Sequence, residues 1–315
     1  MPAPALKVVM YHYVRNLSET RFPRLNAMLL TEFRKQVAEF TERFEMATLE
    51  SALEFLSGRY SARRDLCLLT FDDGLREHLE DVAPILESHR IQGLFFVITA
   101  CAEYGRVAPV HQNHFLMALL GFEMYREKFL RYAGIDRTAA TVDAAVAART
   151  YPWDSPEVAQ FKYLFNFVLD ADARDRAVRE LFRAHLGDER EFSRYLYFNW
   201  EEARRMQSAG MVLGGHTHEH RPLAGLPDSV LKDDLIQCGE LLRRRTKHQA
   251  LTPFCYPYGK ADSFDDRAKT QIKDLGFCCA FTTVSGSNEP ETDLFAIQRV
   301  DCKRAEFRTY ATSQS

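Results

Sequence analysis

The chain has 315 residues, with 41 basic and 44 acidic side chains and a formal net charge of −3. That balance, with no basic block and no interleaving of aromatic and basic residues, argues against a nucleic-acid partner. Hydrophobic residues at 46% and charged residues at 27% describe a globular chain that can bury a large core, with disorder expected only at the ends.

The first residues, MPAPALKVVMYHYV, lack the basic and long apolar regions of a secretory signal. No stretch approaches the roughly 18 apolar residues of a transmembrane helix. Seven cysteines without a CxxC pair suggest reduced thiols packed as small hydrophobes, and so a cytoplasmic protein.

The first strand signal, Leu6–Tyr11, ends at His12. Thr31–Phe44 carries apolar residues at helical spacing. The run Leu66–Phe71 ends in Asp72-Asp73-Gly74, followed by a helical pattern over Leu75–His89 and a strand signal over Gly93–Thr99. From Glu103 to Arg194 the alternation stops, and helix-like segments such as His114–Tyr132 and Ser155–His185 replace it. It resumes with a helix over Trp200–Ala209 and a strand at Met211–Leu213, which runs through Gly214-Gly215 to His216, Thr217 and His218. A helix over Ser229–Lys247 leads to the strand Leu251–Tyr256, which ends in Pro257-Tyr258-Gly259. Ser263–Leu275 reads as a helix and Phe277–Thr283 as a strand.

Alternating strands and helices predict a parallel sheet or barrel. In such barrels the working residues sit at the C-terminal ends of strands. Four polar clusters at four strand ends therefore point to one common site. The helical stretch 103–194 is expected to be an insertion, either a lid facing the substrate or a decoration that adds stability or an oligomer interface.

Adjacent carboxylates at a strand end repel unless they share a cation or a proton. One could ligate a metal while the other takes a proton from water, or the triplet could be an ordinary Asp-Asp-Gly turn. His216 and His220 share a face in either a helix or a strand, whereas His218 joins them only in a strand. Two histidines and one aspartate make the three protein ligands of a catalytic zinc. The Pro257-Tyr258-Gly259 loop could aim a backbone N–H at a developing oxyanion, although a plain turn has the same composition.

Taken in order, Thr70-Phe71-Asp72-Asp73-Gly74, His216-Thr217-His218-Glu219-His220 and Pro257-Tyr258-Gly259 resemble the polysaccharide deacetylase family (the NodB-homology group). The resemblance covers about residues 5–100 and 195–305. It implies an α/β fold, a distorted (β/α) barrel with fewer than eight strands. The barrel would be 1–102 and 195–310, carrying the insertion 103–194. It implies removal of an N-acyl group from an amino sugar, with Asp72 as general base. Asp73, His216 and His220 would bind one divalent ion, with zinc favoured over Co2+, Ni2+ or Mn2+. The Tyr258 N–H would be the oxyanion donor, and His218 a neighbour of the ligands.

Two departures stand out. Cys255 occupies the place where the family has an arginine that orients the base, and no histidine follows His248 to serve as the family's general acid. Arg299 lies near that last position and could restore the positive charge. His12, at the end of the first strand, is the first candidate acid, with packing as its alternative; His111 and His114 in the insertion come next. Hydrolysis of another C–N bond (N-formyl or cyclic amide) and a degenerate carbohydrate-binding module are the competing readings. An insertion that narrows a groove into a pocket predicts a small intracellular or nucleotide-linked sugar as substrate.

Overall fold

The structure, a computed structural model, describes residues 3–135 and 142–303. Seven strands form one parallel sheet: β1 (Leu6–Tyr11), β2 (Leu66–Phe71), β3 (Gly93–Val97), β4 (Val212–Gly215), β5 (Pro253–Cys255), β6 (Cys279–Phe281) and β7 (Val300–Asp301). Their spatial order is β7-β1-β2-β3-β4-β5-β6. The two-residue strand Glu45–Met46 pairs with Leu66 and Cys67, off that path. A parallel bridge from Phe281 to Ile297 ties β6 to the segment entering β7, so the sheet curls towards closure. The fold is the expected distorted (β/α) barrel, with fewer than eight strands along its path.

The alternation of side chains along the strands explains both the core and the site. Val9, Tyr11, Cys67, Leu69, Phe71, Phe95, Leu213 and Phe254 pack outward against the surrounding helices. The helix Leu30–Arg43 answers them with Phe33, Val37 and Phe40 on one face. The other parity forms a second cluster: Leu6 and Val8, Leu66 and Leu68, Leu94 and Phe96, Cys255, Cys279, Phe281 and Ile297. This set fills the barrel interior, and the helix Leu49–Leu56 packs onto it. Continuing each inward row past the strand end reaches Met10 and His12, Thr70 and Asp72, Gly214 and His216, and Arg299. All but Thr70 and Gly214 line one cavity.

Between β3 and β4 the described chain is helical, in segments that include Pro109–Leu120, Phe122–Ala133, Pro156–Tyr163, Ala171–Leu186 and Glu189–Leu196. The long helices expected here are each broken. Gly121, at φ 81°, separates the first pair. After a π-helical turn at Leu164–Val168, the Asp170 side chain caps the next helix by accepting the Ala173 N–H. Phe115, Tyr125, Phe129, Phe161, Phe165 and Phe182 give these helices an aromatic core of their own. The pattern read as one helix over Leu75–His89 is a π-helical turn at His78–Val82 leading into Ala83–Ser88.

No helix among the described residues is long and apolar enough to cross a membrane. All seven cysteines are free thiols, six of them buried.

Candidate active site

Asp72 and Asp73 follow β2 directly, yet they are held quite differently. The Asp72 N–H donates to Tyr11 O at 2.9 Å, which keeps the residue in sheet register and its carboxylate on the inward row. Asp73 takes φ 81°, a left-handed value that turns its side chain to the same side. Thr217, His220 and Tyr258 also have positive φ. Strained non-glycine backbone of this kind, costing about 1–3 kcal/mol per residue, gathers at functional sites.

The Asp72 carboxylate is buried against Arg299. The two guanidinium N–H groups donate to Oδ1 and Oδ2, each at 2.8 Å. Arg299 is itself fixed by donating to Thr282 O at 2.6 Å, Thr70 Oγ1 at 3.1 Å and Cys255 Sγ at 3.0 Å. Burial alone would raise the Asp72 pKa, but the charge and hydrogen bonds of Arg299 outweigh it and hold the carboxyl at about 2. His12 Nε2 lies 3.6 Å from Asp72 Oδ2, with its side chain 44% exposed. Cys255, at the end of β5, is buried beside this pair with Sγ 3.6 Å from Asp72 Oδ2.

Asp73 faces two imidazoles. Its Oδ1 lies 3.5 Å from His216 Nε2 and 3.4 Å from His220 Nε2. The three residues offer donor atoms that all lie within 4.8 Å of one another, and all three are drawn from strand-end loops. His216 Nδ1 is 2.8 Å from Cys255 O. A carbonyl only accepts, so Nδ1 carries the proton and Nε2 presents its lone pair to Asp73. Burial pushes the His216 pKa down to about 4, so the ring is neutral at pH 7. Asp73 Oδ1 is buried without a hydrogen-bond partner. A buried carboxylate oxygen facing the lone pair of an imidazole nitrogen is costly unless a cation lies between them. The donor set, one carboxylate and two imidazoles, fits a divalent ion of the zinc, cobalt or nickel kind.

The histidine loop is not a strand, since β4 ends at Gly215. His218 therefore points away from Asp73. Its Nδ1 is 2.9 Å from Thr99 Oγ1, while its backbone N–H and that of Glu219 donate to the two oxygens of Asp234 at 2.7 and 2.9 Å. Asp234 thus fixes the loop that presents His220. Burial raises its carboxyl to about 6. Sequence reasoning missed this residue. The available signal was a charged side chain at a core-facing position, between Leu231, Leu235 and Cys238 on the helix Asp228–Arg245.

Tyr258 follows β5 with φ 62°, and its N–H donates to none of the described residues. Its hydroxyl donates to Asn166 Oδ1 at 3.0 Å, and the Asn166 amide donates to Tyr151 Oη at 2.8 Å. Lys260 Nζ donates to the carbonyls of Arg149 and Thr150 at 2.7 and 2.8 Å. The loop after β5 is thereby latched to the helical stretch between β3 and β4. The two histidines expected as alternative acids, His111 and His114, are buried and half-buried respectively. His111 is buried with Nε2 3.1 Å from Asp73 Oδ2, and His114 Nδ1 lies 3.4 Å from Tyr13 Oη.

These groups share a cavity of about 490 Å³. Asp72, Asp73, His12, His216, His220 and Arg299 line it from the barrel side. Tyr151, Trp153, Asp154 and Lys162 line it from the helical stretch between β3 and β4.

Comparison with known proteins identifies the family and the fold. The polysaccharide deacetylase family matches residues 59–146 and 167–280, well over half of the chain, and the protein belongs to that family. Membership supports a deacetylating hydrolase. No curated protein matches the chain. Among solved structures, IcaB from Ammonifex degensii is similar at 19% identity and a TM-score of 0.58, over 97% of this chain and 94% of that one. The Streptococcus pyogenes deacetylase PplD, solved with acetate, gives 14% identity and a TM-score of 0.60, over 95% of this chain and 93% of that one. The BpsB deacetylase domain from Bordetella bronchiseptica gives 16% identity and a TM-score of 0.54, over 95% and 98%. At these identities the likeness is one of fold.

Proposed function

We propose that this protein is a metal-dependent N-deacetylase acting on a small amino sugar, free or carried on a nucleotide, in the cytoplasm. One observation carries the reading: a buried, arginine-held carboxylate stands beside an Asp-His-His donor set in a single cavity.

Asp73, His216 and His220 would hold the divalent ion, which supplies Lewis acidity to the acyl carbonyl and to a water. Asp72 takes the proton from the attacking water. Arg299 keeps Asp72 ionised and fixes both of its oxygens, the task of the arginine that Cys255 replaces. The Tyr258 N–H, which donates to none of the described residues, is the donor to the oxygen on which negative charge develops. His12 then gives a proton to the departing amine nitrogen. It is partly exposed at the cavity wall and 3.6 Å from Asp72. His111 and His114 are less available as proton donors, because each is less protonated at neutral pH. Burial pushes the pKa of His114 well down, and it lowers that of His111, whose Nε2 is already engaged by Asp73.

The cavity supports a small substrate. The residues between the two family-matched segments, 147–166, bring Tyr151, Trp153 and Lys162 to its wall. Trp153 keeps 54% of its surface exposed there, a flat apolar face suited to a sugar ring. Family members that act on polymers require an open groove, whereas this wall is latched to the barrel through Tyr258 and Lys260. Free thiols at all seven cysteines support the cytoplasmic assignment.

The test is acetate release from soluble N-acetyl monosaccharides and their nucleotide derivatives, compared with long oligosaccharides. Monosaccharide derivatives are expected to be turned over, with kcat/KM flat or falling as the chain lengthens. Inert monosaccharides with activity rising steadily with chain length would replace the pocket with an open groove.

A further inference from the structure

The buried histidine of the insertion has a partner set that the proposed mechanism leaves unused. His111 sits in the first turn of the helix Pro109–Leu120, and its two ring nitrogens are both engaged. Nε2 lies 3.1 Å from Asp73 Oδ2, and Nδ1 contacts Tyr197 Oη. A carboxylate oxygen only accepts, so Nε2 carries the ring proton. Nδ1 is then an acceptor, and the Tyr197 hydroxyl donates a hydrogen bond to it. Tyr197 Oη in turn accepts the Ala108 N–H at 3.2 Å. The direction of the whole chain is therefore fixed, from the helix start to the carboxylate.

The backbone binds the same groups together. Tyr197 forms an antiparallel bridge with Leu75, and the Phe198 N–H donates to Gly74 O at 3.2 Å. The exit of the insertion is thus stitched to the turn that carries Asp73. His111, Tyr197 and Asp73 cannot move independently.

The consequence falls on the two oxygens of Asp73. Oδ2 is occupied by His111, while Oδ1 is buried without a partner and faces His216 and His220. We propose that His111 is a positioning residue of the metal site, donated by the insertion, which holds Oδ2 so that Asp73 offers Oδ1 alone to the ion. This rests on the reading of Asp73, His216 and His220 as the metal ligands. Removal of outer-sphere hydrogen-bond partners of this kind lowers metal affinity about 10–100-fold. The insertion is on this view part of the metal site as well as a wall of the pocket, so that metal binding and insertion folding are coupled.

The test is zinc affinity, measured by competition with a chromophoric chelator, on the full chain. His111→Met, close in volume and without a donor, is expected to lose about 10–100-fold in affinity. His111→Gln, which keeps an N–H donor, is expected to stay within a few-fold of wild type. Tyr197→Phe is expected to lose affinity several-fold, because the hydrogen bond that anchors Nδ1 and so holds the His111 ring against Asp73 is lost. Thermal melts with chelator present show whether each variant is folded. A folded His111→Met with wild-type affinity would overturn the proposal. If His111→Met does not fold, Tyr197→Phe decides: unchanged affinity overturns the proposal and a several-fold loss upholds it. A wild-type chain that binds no stoichiometric zinc would instead overturn the metal reading on which it rests.

Discussion

Replacing Asp72 with asparagine is expected to lower acetate release by about 10²–10⁴-fold, the usual cost of losing a general base, while zinc affinity stays near wild type. On the proposed roles, Asp72 stands outside the set that would hold the ion. Both of its oxygens are taken by Arg299, whereas Asp73 Oδ1 is open and faces His216 and His220. Asp73→Ala should therefore do the opposite in a binding assay, stripping zinc and losing activity as a result. Kinetics and zinc titration on the two variants read both effects. Zinc lost from Asp72→Asn and retained by Asp73→Ala would reverse the roles assigned to the two carboxylates.

Arg299→Gln is expected to damage stability and chemistry together. Asp72 and Arg299 are buried at 1% and 0% exposure, and breaking such a pair by removing one partner costs about 3–5 kcal/mol. The sign of the pH dependence follows from Asp72. Its folded-state pKa, about 2, lies below the ordinary value of 3.8. The pair therefore stabilises the fold fully above the ordinary carboxylate range and loses that contribution as pH falls from about 4 towards 2. At neutral pH wild type has the whole contribution, and the variant's deficit should appear directly in denaturant unfolding. Without the guanidinium, burial dominates and the Asp72 pKa rises. The acid limb of the kcat/KM profile should then move to higher pH, and activity at pH 7 should fall. An unchanged acid limb with unchanged stability would show that Arg299 does not govern Asp72.

Much of this site is legible in the sequence because strand parity is simple. Once Leu66 and Leu68 are inward, Thr70 and Asp72 must follow, and the same counting carries Leu6 and Val8 to His12 and Ile297 to Arg299. A guanidinium at position 299 can thus face the carboxylate that a residue at position 255 would otherwise reach, because β5 and β7 both open onto the barrel interior. Asp73 does not follow from parity. Its arrival on the same side depends on a left-handed backbone value that no periodicity reports. His220 was legible from its spacing to His216, although Thr217 and His220 both take left-handed backbone values that carry the loop out of strand geometry. The partners that reach the site from helices were the least legible. His111 reaches Asp73 through 38 residues of sequence separation, and Asp234 reaches the histidine loop from an otherwise amphipathic helix. The two long helices read at His114–Tyr132 and Ser155–His185 failed for a local reason. Gly121 and the capping Asp170 sit inside continuous apolar periodicity, and the pattern hid the breaks.

The most direct test of the central claim is acetate release from an N-acetylated amino-sugar monosaccharide by chelator-stripped protein, followed as zinc is added back. Stripped protein is expected to release no acetate, and activity should rise in proportion to zinc and level off at one equivalent per chain. Acetate release that survives complete removal of metal, or a zinc-loaded protein that releases none from any N-acetyl monosaccharide, would contradict the account.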